Sequence, residues 1–311
     1  MRQQGKMLSR RPETLVHAPE PATHQIALLV QGHPEIEQAL RRLLEPRGWE
    51  IAAVRDNSSA LEQVKVRNFD LIVTGERTSG AEDVALLRRM RRVHPHTRMI
   101  IVTDESTPSD VIDSMKEQAF SYFAKPFSME HFEEIVGIAI AGPCWDDGIE
   151  VGSATPDWIN LHVRCDARTA DRLLQFLREV SDLPEKEGHT AGIAFREILL
   201  NAMEHGGKFD PEQYVEISYV RTRKMVTCRI KDPGQGFSLA ELKHSAIANP
   251  ASDPLRHAVV REEQGLRPGG YGVLLARNLV DELLYNEQGN EVLLVKYLEP
   301  PRPWVGSPQS L

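Results

Sequence analysis

Glu197 and Asn201 stand four residues apart in the segment Phe195-Arg196-Glu197-Ile198-Leu199-Leu200-Asn201-Ala202-Met203-Glu204-His205-Gly206. On a helix that spacing puts a carboxylate and a carboxamide on one face, and His205 follows on that face one turn later. Ile198, Leu199 and Ala202 fall on the opposite side, toward a core. A carboxamide oxygen can coordinate Mg²⁺, and a carboxylate can orient or deprotonate a nucleophile. A second segment, Asp232-Pro233-Gly234-Gln235-Gly236-Phe237, closes a strand-like run. Glycines there permit a tight turn and a close backbone approach to a ligand, and the Asp before them can accept from an exocyclic amine. A third, Arg267-Pro268-Gly269-Gly270-Tyr271-Gly272, opens a helical pattern at Val273. Glycines leading into a helix start expose N–H groups that bind anions. Taken singly, the three also read as a solvated helix face, a β-turn and a hinge.

The elements around them must bring the segments together. Residues 159–163, 214–221, 224–231 and 291–296 read as strands, and 168–182, 189–205 and 272–284 as amphipathic helices. Residues 238–268 are polar and lack a period, which inside a domain suits a lid over a site. Helices segregated from an antiparallel sheet predict a two-layer α/β sandwich over 158–298.

The first half has another rhythm. Strand-like runs at 26–30, 51–54, 71–74, 99–103 and 121–123 alternate with helical patterns at 35–44, 59–66, 81–92, 108–118 and 129–140. That alternation predicts a five-stranded, doubly wound parallel sheet over 25–141. Residues 142–157 read as a linker, with Trp145 as a pin to one domain. Residues 1–24 and 299–311, rich in Pro and polar residues, read as mobile tails.

The composition is that of an ordinary globular protein, with 41% hydrophobic and 26% charged residues. No apolar run approaches the ~20 residues of a membrane helix, and no secretory h-region is apparent near Met1. Three scattered cysteines, Cys144, Cys165 and Cys228, argue against a disulfide framework and fit a reducing, cytoplasmic setting. A net charge of -8 disfavours nucleic acid as the main partner. Arg88, Arg89, Arg91, Arg92 and Arg98 crowd one helix end, where positive charge is locally favourable, and His94 and His96 read as loop residues.

The first half resembles the receiver domain of response regulators, through its alternation and the run Tyr122-Phe123-Ala124-Lys125-Pro126-Phe127. Lys125 and Thr103 occupy the family's phosphoryl-contacting positions. Gln31-Gly32 stands where the family has its metal-binding acids, and Gly75 where it has the phosphoacceptor Asp. A glycine offers no oxygen nucleophile, and Glu76 and Asp104 follow the strand ends. The resemblance thus implies a pseudo-receiver, with a docking or dimerising face on 111–123 and 129–138.

The three segments of the second half, with the ending Gly289-Asn290-Glu291-Val292, jointly resemble the GHKL ATP-binding fold. They are most similar to its anti-sigma factor serine/threonine kinase branch. The resemblance implies that Asn201 ligates Mg²⁺ bridging the ATP phosphates and that Glu197 is the general base. Asp232 would bind the adenine amine, with Gly234 and Gly236 giving access. Gly270 and Gly272 would wrap the phosphates, and Arg267 would neutralise γ-phosphate charge. It further implies a homodimer, a STAS-type antagonist protein as substrate, a sigma factor as a second partner, and an upstream protein docked on the pseudo-receiver. The alternative is an ATP-responsive binding switch without kinase turnover.

Overall fold

The computed structural model describes residues 25–75, 78–141, 148–181, 183–236, 253, 256–263 and 270–298. Both expected tails, Trp145, Cys144, Glu76, Phe237, Arg267 and most of 238–268 lie outside the described residues.

The N-terminal half contains β1 (Ile26–Val30), α1 (Pro34–Leu44), β2 (Glu50–Val54), α2 (Asn57–Val66), β3 (Leu71–Val73), α3 (Gly80–Arg91), β4 (Arg98–Thr103), α4 (Pro108–Lys116), β5 (Ser121–Ala124) and α5 (Met129–Ile140). The strands pair in parallel in the order β2-β1-β3-β4-β5. Their alternate residues split between two cores. Ala27, Leu29, Val73, Ile100 and Phe123 pack with Ile36 and Leu40 of α1 and with Phe132 and Ile135 of α5. Leu28, Val30, Ile72, Ile101 and Tyr122 face Val64 of α2, Leu87 of α3 and Ile112 of α4. Burial on both faces is what makes these strands continuous apolar runs. Helix starts are set by local caps: Ser79 with Glu82 and Thr107 with Asp110 form capping boxes, and Pro108 occupies the first turn of α4.

The C-terminal half contains β6 (Ile149–Thr155), β7 (Trp158–Arg164), α6 (Ala167–Ser181), α7 (Glu185–Asn201), β8 (Tyr214–Arg221), β9 (Met225–Lys231), α8 (Arg256–Glu263), α9 (Gly272–Leu279), β10 (Glu282–Tyr285) and β11 (Glu291–Tyr297). Its sheet is antiparallel, in the order β10-β11-β9-β8-β7-β6. One sheet face buries Ile159, Leu161, Ile217, Cys228, Ile230 and Leu294 beneath the helices. The expected α/β sandwich is therefore present.

Three local expectations are corrected. Residues 149–155, read as linker, form β6 and pair with β7 through a register shift between Val151 and Ser153. The helix read over 272–284 stops at Leu279, because Asp281 N–H donates to the Val295 carbonyl (3.0 Å) and β10 pairs with β11. Inside the segment read as aperiodic, residues 256–263 are helical.

The two halves share helix α6, which packs against α4, β5 and α5. β5 is an edge strand, and α6 side chains occupy its open groups. Arg172 Nε donates to the Phe120 carbonyl (2.9 Å), with its guanidinium 4.0 Å from the Phe120 ring centroid. Gln175 Nε2 donates to the Tyr122 carbonyl (2.8 Å), and the Glu179 carboxylate accepts from the Ala124 amide. Part of the face expected to dock a partner, at Phe120 and Tyr122, is thus covered from within the chain. The arginine cluster is also largely engaged: Arg88 pairs with Glu117 (2.8 Å), and Arg98 stacks on Phe120.

Gln175→Leu keeps the volume but orphans the Tyr122 carbonyl. It is expected to cost about 1–3 kcal/mol in urea unfolding of the full chain. Asp83 offers a second test. It is fully buried, accepting from Thr78 Oγ1 (2.8 Å) and Asn57 Nδ2 (3.1 Å). Burial raises its pKa from 3.8 to about 6. The folded state therefore holds this proton more tightly than the unfolded state, so its contribution falls as pH rises between those two values. Stability of wild type relative to Asp83→Asn should decline across that window and level off above it, read by denaturant midpoints at stepped pH.

Candidate functional site

Helix α7 carries Glu197 and Asn201, both half-buried, in its last turns. The helix then widens into a π turn over Ala202–Gly206, where Gly207 N–H reaches back to the Ala202 carbonyl (3.0 Å). Such turns recur at functional sites because they re-aim the backbone. Here the turn ends with Gly206 against Asp232: a Cβ built on Gly206 would lie 2.2 Å from Asp232 Oδ1. His205, expected on the face of Glu197, is exposed, and its charge acts on Asp232.

Asp232 follows β9 and is held by its neighbours. Its N–H donates to the Asn290 carbonyl (2.9 Å), and Gly234 N–H donates to its Oδ1 (2.8 Å). Burial raises its pKa, opposed by the Gly234 amide and by the charges of Lys208 and His205. Tyr285 lies close enough for the Asp232 charge to add to the burial that pushes the phenol up to about 12. Gly234 sits in the same tight corner, where a Cβ would meet Asp232 Oδ1 at 2.8 Å and Gly206 Cα at 2.9 Å. Gly236 has φ +82, and a Cβ there would lie 1.9 Å from the Gln288 carbonyl oxygen. It serves the packing of the turn on residues 288–290. Gly206 and Asn290 are thus site-forming residues that the spacing argument did not single out. The doubled glycine after the helix and the Gly289-Asn290 turn were the available signals.

The third segment meets the first. Gly270 has φ +90 and leads through Tyr271 into α9, which has no side-chain cap and no acid in its first turn. A Cβ on Gly272 would lie 2.7 Å from Glu197 Oε2 and 3.4 Å from the Asn201 amide nitrogen. The start of α9 therefore lies directly on the Glu197–Asn201 pair. Gly272 thus meets Glu197 and Asn201, while Gly206 and Gly234 meet Asp232. Glu197 and Gly206 are nine residues apart along α7 and its π turn, or roughly 13 Å at the α-helical rise.

The donor set suits a magnesium nucleotide. One group of residues has a carboxylate, a carboxamide and a helix start without a side-chain cap; the other has a half-buried carboxylate in a glycine corner. Among the described residues no group of three or more His, Cys, Asp or Glu is placed to hold a metal ion.

The receiver-like half is closely packed at the corresponding strand ends. A Cβ on Gly75 would lie 2.1 Å from the Gln31 carbonyl oxygen and 2.9 Å from that of Val30. Gln31 itself takes φ 51, which is unusual for a non-glycine residue. Thr103 Oγ1 is buried and donates to the Thr78 carbonyl (2.8 Å), and Lys125 Nζ lies 3.8 Å from Asp104.

Residues 163–296 match the family Histidine kinase-like ATPase domain. Residues 27–137 match the family Response regulator receiver domain. The chain is 28% identical over 102 residues to the "Transcriptional regulatory protein ZraR" of Escherichia coli O157:H7, across 33% of this chain and 23% of that protein. It is 26% identical over 116 residues to the "DNA-binding transcriptional regulator NtrC" of Klebsiella pneumoniae, across 37% and 25%. The chain thus spans about a quarter of the length of these relatives. A response regulator from Thermotoga maritima overlaps 39% of this chain and 100% of its own, at 22% identity and a TM-score of 0.34. Together the family matches identify a receiver domain joined to a histidine-kinase-like ATPase domain, a combination that supports ATP-dependent signalling. Among the described residues no helix is long and apolar enough to cross a membrane.

Gly272→Ala drives a methyl group into the Glu197 carboxylate. It is expected to weaken binding of a fluorescent ATP analogue at least tenfold (~1.4 kcal/mol or more) while far-UV circular dichroism is unchanged.

Proposed function

We propose that the chain is a serine/threonine protein kinase of the anti-sigma factor type. In this reading it transfers the ATP γ-phosphate to a STAS-type antagonist protein and can also hold a sigma factor. The observation that carries the proposal is the approach of Gly272 to Glu197 and Asn201, with Asp232 cradled at the other end of the same helix run.

Asp232 suits the adenine amine, because its half-buried carboxylate faces a corner that any side chain on Gly206 or Gly234 would close. Asn201 would present its amide oxygen to Mg²⁺, which when bound neutralises charge on the phosphate oxygens. The α9 start would hold phosphate oxygens through its amides. Glu197, beside that start, would accept the substrate hydroxyl proton or orient the hydroxyl. Arg267 remains a candidate for the γ-phosphate and lies outside the described residues.

Two features favour a protein substrate over a histidine on this chain's own connecting segment. Only residues 141–148 separate α5 from β6, and β6 already belongs to the ATPase sheet. That interval has no room for a pair of phosphoacceptor helices. The receiver half would act without phosphorylation, since Gly75 has no nucleophile and the Gln31 carbonyl occupies the space a side chain needs. Docking of an upstream protein would then use the surface α6 leaves open, such as the exposed side of α5, and dimerisation is part of the same reading.

The test incubates the full chain, Mg²⁺ and γ-labelled ATP with candidate STAS-type proteins. Acid-stable phosphoserine or phosphothreonine on the antagonist is expected from wild type. Glu197→Gln should bind ATP within about threefold of wild type and lose at least 100-fold in transfer. ATP-dependent antagonist binding without label would favour the binding switch instead. Acetyl phosphate should leave the receiver half unlabelled, both in wild type and in Gly75→Asp.

A further inference from the structure

A second depression lies at the opposite end of α7 from the ATPase site, between α6, α7 and the sheet. It is a cavity of about 70 Å³ that opens to solvent. Its wall is largely apolar, built by Leu174, Leu177, Phe195, Val226, Val280 and Leu294. An apolar wall with a few polar groups is the lining typical of small-molecule sites.

Three observations point to what it takes. Arg178 lines the cleft, and its Nε is buried without a hydrogen-bond partner. The charged residues of the lining are Arg178 and Lys296, and no carboxylate is among them. The acids near Arg178 are on its receiver side: Glu134 of α5, exposed and 3.2 Å from His131, and Glu179, which turns to the Ala124 amide. Burial pushes Glu179 up to about 7 and also lowers the Arg178 pKa.

The third observation concerns space. Gly188 and Gly192 line the cleft one turn apart inside α7. Glycine inside a helix is unfavourable relative to alanine. Yet a Cβ on Gly192 would meet Leu174 Cδ1 at 3.5 Å and Arg178 Nε at 3.6 Å, which are ordinary contacts. On Gly188 the nearest atom would be Leu183 Cβ at 3.6 Å. Packing does not require these glycines, and their effect is to keep the cleft open beside Arg178.

We propose that this cleft binds a small carboxylic acid with an apolar body, its carboxylate accepting from the Arg178 guanidinium. The body lies between α6 and α7 on the sheet. The ligand would thereby contact both the helix that docks the receiver and the helix that carries Glu197.

Calorimetric titration of the full chain with octanoate, and with 1-octanol as the uncharged match, tests this. Octanoate is expected to bind one-to-one with a Kd of about 100 µM, without displacing a fluorescent ATP analogue. Arg178→Gln should weaken octanoate at least tenfold and change octanol less than twofold. Gly192→Leu should abolish binding of both and preserve ATP binding; Ala191→Leu serves if that variant does not fold. Absence of saturable octanoate binding, equal affinity in Arg178→Gln, or competition with the ATP analogue would each overturn the proposal.

Discussion

Helix α6 has almost no solvent side, and the arrangement of the two halves follows from that. Ala170, Leu173, Leu174, Leu177 and Val180 belong to the ATPase core, while Arg172 and Gln175 are buried against β5. An edge strand leaves carbonyl and amide groups open, and a buried carbonyl without a donor is costly. Arg172, Gln175 and Glu179 recur at helical spacing and meet Phe120, Tyr122 and Ala124, which recur at strand spacing. The match satisfies alternate groups along the edge. Burying a guanidinium would be unfavourable alone, and here the Phe120 ring and carbonyl replace water around it. Because α6 packs in turn on α7, with Arg196 bridging to Asp171 at 2.8 Å, the receiver sheet is tied by one helix to the element bearing Glu197.

Both halves use missing side chains to bring backbone close to other groups. At Gly272, Gly206 and Gly234 this lets backbone approach a carboxylate. At Gly75 the missing side chain lets the Gln31 and Val30 carbonyls close in, leaving no space for a Cβ. Thr103 follows suit, its hydroxyl turned to the Thr78 and Glu105 carbonyls.

Much of the fold was legible because its signals are local. The receiver strands are apolar runs buried on both faces, and their helices begin at caps such as Ser79 and Thr107. What was misread depended on distant partners. β6 alternates only between half-buried and exposed residues, with Gly152 and Ser153 in its middle, and pairing with β7 makes it a strand. Residues 280–284 continue the helical apolar pattern of α9, but the backbone groups of β11 draw them into the sheet. The π turn after Asn201 departs from the fixed period of 3.6 by which His205 was placed on the face of Glu197.

By itself the sequence determined the residue types, their spacing within each element and the alternation of strands and helices, since these act through neighbours a few residues apart. It placed Glu197 and Asn201 on one helical face and marked Gly75 as unable to accept a phosphoryl group. Tertiary structure alone decided that Gly272 lies on that pair, that Gly206 closes on Asp232, and that α6 covers the β5 edge. Each of these is an approach between segments from 26 to 75 residues apart. Side-chain periodicity reports which face of an element is buried, but not which backbone group from another element will meet it there.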